Sequence, residues 1–206
     1  MSGVSIRLPE GEKLVADYAV IRVLGSVTAT SPINVDRDTH RSGTFGTGFG
    51  IALDLRKIVL SDQWRPVLGR NIGKIALDAV IIGKVVSAKS LKEVLTRWRD
   101  DGGTVEVAAL ALDWDALRFR TKGTFALDRN LQPEGAMVAD IEGIDATMAR
   151  LLAAGVIDFR AAFAARIANR ALSSGGGSTR LPLSIQNQRL YIGPAPILRI
   201  KRISWN

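Results

Sequence analysis

Asp113, Asp115 and Asp128 stand in the stretch LDWDALRFRTKGTFALDRNLQPEG, residues 112–135, and neighbouring carboxylates are the raw material of general acid–base chemistry. Glycoside hydrolysis needs two of them facing each other across a substrate cleft. Here Asp113 and Asp115 flank Trp114 at the end of one alternating run, and Asp128 ends the next. These are places where aspartate closes a turn through its own side chain. The stretch is expected to be scaffold, and no catalytic residue is assigned to it.

A second constellation is NVDRDTHR, residues 34–41. In an extended chain Asp36, Asp38 and His40 project to one side, two carboxylates and an imidazole within reach of one ion. Arg37 and Arg41 surround them, and such mixed-charge runs are ordinarily solvated loops or guarded sheet edges. No functional metal site is expected there. His40 is the sole histidine, so a Ser/His/Asp triad would have to recruit it, and no G-x-S-x-G elbow is present. The absence of cysteine removes disulfides, thiolate nucleophiles and zinc–sulfur sites together.

Two glycine-bearing stretches also fall short of nucleotide binding. SGTFGTGFG has glycines at 43, 46, 48 and 50, but not in G-x-G-x-x-G order, and it leads into a strand pattern. LGRNIGKI places Ile75 where a phosphate loop needs a hydroxyl for magnesium. No cofactor is expected, and the chain is not expected to be an enzyme.

The elements that would position these groups are mostly strands. VSIRL, LVADYAVIRVL and FGIALDL are rich in β-branched and aliphatic residues, and GKIALDAVIIGKV predicts one further strand or two short ones. SAKSLKEVLTRWRDDGG predicts a helix with a capping box from Ser90 to Glu93. Its apolar stripe would be Leu91, Val94, Leu95 and Trp98, with Lys92, Arg97 and Arg99 facing out. TVEVAALALDW, ALRFRTKGTFALD and GAMVADIEG then predict a three-stranded antiparallel meander. Leu110, Leu112, Trp114, Leu117, Phe119, Phe125 and Leu127 would face the core, and Arg118, Arg120 and Lys122 the other side.

GIDATMARLLAAG and IDFRAAFAARIANRAL follow as a helical hairpin. Phe159, Phe163 and Ile167 step by four along one face of its second helix, and Arg160, Arg166 and Arg170 lie elsewhere around it. After the SSGGGS loop, TRLPLSIQNQRLYIGPAPILRI predicts a hairpin turning at QNQ and one last short strand. The fold class is therefore α+β, mainly an antiparallel meander or curved sheet with inserted helices. The 206 residues suit a single β-rich domain, with residues 1–60 as a looser N-terminal lobe.

Net charge is +8, and all of the excess lies in the tail. From Phe159 onward there are eight basic residues and no acid, so the tail is suited to an anionic surface. Arg160, Arg166 and Arg170 are the candidate contacts for anionic lipid. Nucleic acid is not expected, because the tail's arginines are not clustered with stacking aromatics. The opening MSGVSIRLPEGEKLVADY has no apolar h-region, and no window holds about 18 uninterrupted apolar residues. Neither a visible export signal nor a membrane span is expected of the chain as written.

Several motifs together resemble a bacterial family, domain of unknown function 2125, in its C-terminal part. They are the helix carrying Trp98, the Gly102-Gly103 break, Trp114, the G-T-x-A-L-D run from Gly123 to Asp128, LQPEG at 131–135 and LYIGPAP at 190–196. The likeness covers residues 60–200 well and the first third loosely. It implies an uncharacterised envelope protein on the periplasmic side of the inner membrane, with no activity attached. Other envelope proteins are expected partners on this likeness, beside the anionic lipid or membrane surface that the charged tail suggests. Members are similar in carrying an N-terminal hydrophobic segment, which this sequence does not show. Three function classes follow: a non-enzymatic module holding or conveying a lipid or other hydrophobe, an assembly scaffold at the membrane surface and, last, an enzyme.

Overall fold

The computed structural model describes residues 4–7, 13–28, 47–61, 63, 66–172 and 178–205. Asp36, Asp38 and His40, with Gly43 and Gly46, lie outside the described residues. Ten strands form one sheet in which every neighbour is antiparallel and the spatial order is the chain order. They are Val4–Arg7 (β1), Lys13–Thr28 (β2), Thr47–Leu60 (β3), Asn71–Ile82 (β4), Thr104–Trp114 (β5), Leu117–Leu127 (β6), Pro133–Glu142 (β7), Thr179–Gln186 (β8), Arg189–Ile192 (β9) and Ala195–Arg199 (β10). The helices Leu91–Asp100 (α1), Ile144–Ala153 (α2) and Phe159–Leu172 (α3) are inserted after β4 and β7. The expected α+β class and meander hold, and the meander is the whole sheet rather than three strands. GKIALDAVIIGKV resolves into the single strand β4.

Strand alternation sorts side chains onto two faces, and register carries each face across the sheet. One row of register partners runs Ile21, Leu53, Leu77, Leu110, Thr121, Ala139, Leu181. The neighbouring row runs Ala19, Leu55, Ile75, Leu112, Phe119, Ile141 and Thr179. These apolar rows share one face. The opposite face carries Arg56, Lys74, Asp113, Arg118 and Glu142 in register.

Alternation slips at several points, one of them near the end of β3. Leu55 and Ile58 are three residues apart, yet both belong to one buried cluster with Ala16, Leu60 and Ile72. Lys57 between them has φ 51°, and Gly73 in β4 is skipped in the register with β5 between Ile72 and Lys74. A bulge of this kind adds a residue and strengthens local twist.

The helices are built as their sequences direct, with two differences. In α1, Ser90 Oγ accepts from the Glu93 amide at 3.2 Å and Glu93 reaches back to the Lys89 amide at 3.2 Å. Trp98 is buried, donating to the Ile82 carbonyl at 2.9 Å. Gly102 has φ 77°, and a Cβ on Gly103 would lie 2.2 Å from the indole, so only glycine lets the ring close over the helix end. Contrary to expectation, Leu91 is exposed and Arg99 is half-buried. Arg99 turns back to donate to the Arg129 carbonyl at 2.9 Å, an option open to it because the β6–β7 turn passes beside the helix.

The second difference concerns α3. The apolar stripe read along it, Phe159, Phe163 and Ile167, does not pack inward but is 69%, 55% and 51% exposed, while Ala161, Ala162 and Ala165 are buried. The alanine face permits a close approach to the sheet that large side chains would prevent. Thr179 of β8 donates its hydroxyl to Asn169 of α3 at 2.6 Å, which fixes the rotation. Arg160, Arg166 and Arg170 are exposed, as expected.

Candidate functional site

The apolar face divides into a covered and an open part. Over β6 to β10 it packs beneath α2 and α3: Met137, Ala139, Ile141, Leu181, Leu183 and Ile192 join Ile144 and Ala165 in one buried cluster. Over β2 to β5 no helix of the described residues joins the cluster. Ile51, Leu53, Ile75, Leu77, Leu110 and Leu112 are half-buried. At its outer side Ile21 is 65% and Val23 69% exposed, and Phe49 is exposed with them.

One end of this open part is closed. Ile58, Leu60, Ile72 and Leu68 are buried there, and Trp114 donates its indole N–H to the Gly69 carbonyl at 2.7 Å. Arg150 of α2 reaches the same loop at the Leu68 carbonyl, 3.4 Å, and pairs with Asp115. Gly143, at φ 75°, starts α2 so close to the β5–β6 turn that a Cβ would strike the Ala116 carbonyl. The result is an apolar sheet face with a packed end and an open side. Trp114, expected as core, is only half-buried at that end.

The three aspartates of the opening stretch all have structural duties. Asp115, at φ 54°, makes the β5–β6 turn and anchors α2 through Arg150. Asp113 accepts from Arg120 at 2.8 Å. Asp128 accepts from the amides of Asn130 at 2.7 Å and Gln132 at 2.8 Å, an aspartate turn. Asp113 and Asp115 also line a shallow cleft of about 440 Å³ on the polar face with Arg56, Lys74 and Arg118. The cations there outnumber the acids, and each acid is already engaged by an arginine outside or beside it.

Elsewhere on that face Arg56 lies over the Tyr18 ring at 5.3 Å and pairs with Asp54 at 2.8 Å. The hydrogen bond from Arg56 holds the Asp54 carboxyl below its usual range, against a smaller opposing effect of burial. Asp78, in the middle of β4, is the buried exception. Desolvation pushes its carboxyl up. Among the described residues no group of three or more His, Cys, Asp or Glu could hold a metal ion. No helix of the described residues is long and apolar enough to cross a membrane.

Sequence reasoning missed Gln132. Its side chain is almost fully buried and clasps the chain's end in both directions. Nε2 donates to the Ile203 carbonyl at 3.1 Å, and Oε1 accepts from the Ile203 amide at 2.8 Å. Trp205 adds a bond to the Leu131 carbonyl at 2.7 Å, and Leu131 takes φ 58° to present it. A glutamine in a turn-like LQPEG run gives no sign that it has a partner 71 residues away. The only hint was the motif itself.

The tail's cations are dispersed, and Arg199, Lys201 and Arg202 line a second shallow cleft beside Gln188. Arg160, Arg166 and Arg170 ride on α3, whereas Arg180 lies on the polar face, paired with Asp140 at 3.0 Å.

Several residues that carry the resemblance are thus explained: Gly103 by the Trp98 ring, Gly123 by the Ala136 carbonyl 2.3 Å from where its Cβ would be, and Gln132 by the chain end. The family model described as "Uncharacterized protein conserved in bacteria" (domain of unknown function 2125) matches residues 26–201, further toward the N-terminus than the motifs alone suggested. No curated protein matches, and no solved structure matches. The chain belongs to that bacterial family.

Proposed function

We propose that this member of the family is a non-enzymatic envelope protein that holds or conveys a lipid or another elongated hydrophobe along the open part of its apolar sheet face. The observation that carries the proposal is the continuous row from Leu181, fully buried, to Ile21, 65% exposed. An exposed contiguous apolar surface on a monomer commonly marks a binding site. An aliphatic face with few polar groups suits an acyl chain, which gains about 0.8 kcal/mol per methylene buried. The envelope setting is part of the proposal and is supported by the sequence resemblance alone.

Native mass spectrometry of the full chain purified from a bacterial host without detergent tests it. The expected result is an adduct of lipid mass that is lost in an Ile21→Glu, Val23→Glu double variant whose fold is intact by circular dichroism. Absence of any adduct, together with no saturable binding of a fluorescent fatty acid, would refute the proposal.

One observation favours assembly as a second function. β1 pairs with β2 only from Lys13 to Ala16, so among the described residues the remaining edge of β2 has no strand beside it. An unpaired edge can accept a strand from a partner. Concentration-dependent association abolished by a proline at Arg22 would favour this alternative.

A further inference from the structure

The outward stripe of α3 calls for an occupant, and its surroundings indicate which. Phe159 and Phe163 stack with ring centroids 6.1 Å apart, and Ile167 continues the ridge one turn on. All three are more than half exposed. Scattered apolar residues on a surface need no explanation, but a contiguous ridge of two phenylalanines and an isoleucine does. The helix cannot turn them inward, because its alanine face is already buried and Asn169 is tied to Thr179. Asp158 fixes its start, accepting from the Ala161 amide at 2.7 Å.

At about 100° per residue, Arg166 and Arg160 fall on opposite flanks of the ridge and Arg170 within it. Arg166 has a loose contact with Asp145 at 3.7 Å, and Arg160 and Arg170 have no partner among the described residues. The face therefore combines apolar rings with unneutralised cations whose stems can lie along the rings. A second copy docking through the same face in a two-fold pair would set arginine against arginine, which disfavours self-association. Apolar side chains that enter the acyl boundary, with cations at the level of acidic headgroups, define an interfacial amphipathic helix.

We propose that α3 docks the protein on an anionic membrane surface, with Phe159, Phe163 and Ile167 inserted into the lipid interface and Arg160, Arg166 and Arg170 on acidic headgroups. This docking is independent of the sheet-face ligand, since it uses a different surface and either can fail alone.

The test is flotation of the full chain with vesicles of phosphatidylcholine, with and without phosphatidylglycerol, at low and high salt. Wild type is expected to bind the acidic vesicles and to lose affinity steeply with salt, since each arginine near the surface contributes about 1 kcal/mol at low ionic strength. A Phe159→Ser, Phe163→Ser variant and an Arg160→Gln, Arg166→Gln, Arg170→Gln variant should each bind at least about tenfold more weakly, a change of about 1.4 kcal/mol. Both should keep the wild-type urea midpoint, because none of the five side chains is buried. Undiminished binding by the phenylalanine variant would reduce the effect to charge alone and overturn the insertion. No binding by wild type, equal binding of wild type to neutral and acidic vesicles, undiminished binding to acidic vesicles by the arginine variant, or a dimer dissociated by Phe163→Ser would each overturn the proposal as well.

Discussion

The part of the apolar face under α2 and α3 and the part spread over β2 to β5 are continuous in register, yet they differ in what lies above them. Along the row from Ile21 to Leu181 the side chains near the helices are small or β-branched, Thr121 and Ala139, before Leu181. On the open part they are Ile21, Leu53, Leu77 and Leu110. In this row the small residues let a helix approach, beside the larger Met137, Ile141 and Leu183 of the same cluster, and α3 answers with alanines of its own. The open part keeps larger aliphatic groups with no helix to meet them. Similar strand patterning therefore supports a packed core in one region and an accessible surface in the other, and the deciding factor is the third layer.

The largest expected effect separates the two regions by stability. Leu181→Ala deletes a fully buried side chain from the covered cluster and should cost about 2 to 5 kcal/mol. Ile21→Ala, in the same register row, should cost less than about 1 kcal/mol, since the side chain is already largely in water. Urea unfolding of both variants checks the contrast. Equal losses would mean that the open part is packed as tightly as the covered one.

Next in size is the clasp that holds the chain's end. Gln132→Ala removes both side-chain partners of the Ile203 backbone, two hydrogen bonds worth about 0.5 to 1.5 kcal/mol each, a cost of about 1 to 3 kcal/mol. The same variant should speed proteolysis near Trp205, because that segment is released. A wild-type digestion rate would show that Trp205 and its neighbours hold without the glutamine.

Much of this arrangement was legible in the sequence, for physical reasons that also mark where it stopped. Alternation is a local property, so strands β5 to β7, the faces of Phe119 and Arg118, and the turn duties of Asp115 and Asp128 followed from the residues themselves. Ser90 and Glu93 announced the helix start in the same way. What the sequence could not show was which face of an apolar segment meets another layer. In α3 both the phenylalanine stripe and the alanine stripe have helical spacing, and hydrophobicity favours the first. The packing distance to β8 and β10 favours the second, and that distance is a tertiary quantity. Gln132 was illegible for the same reason, as its partner is distant in sequence.

The smallest expected effect lies on the polar side of the open region, at Asp78. Burial raises its carboxyl above the ordinary carboxylate range, so folding favours the protonated form. The sign follows from linkage: where the folded state binds more protons than the unfolded one, stability falls as pH rises. The loss begins near the unfolded value of about 3.9 and is complete once pH passes the raised folded value. Asp78→Asn removes the charge while keeping the shape, and should therefore be more stable than wild type at pH 7. Below the unfolded value both states of wild type are protonated, so that advantage should vanish at pH 3. Thermal midpoints of the two proteins across this range decide the matter. A stability difference that stays constant with pH would assign the effect to amide packing instead of charge burial, and a less stable variant at neutral pH would show that the carboxylate has a partner that stabilises its charge.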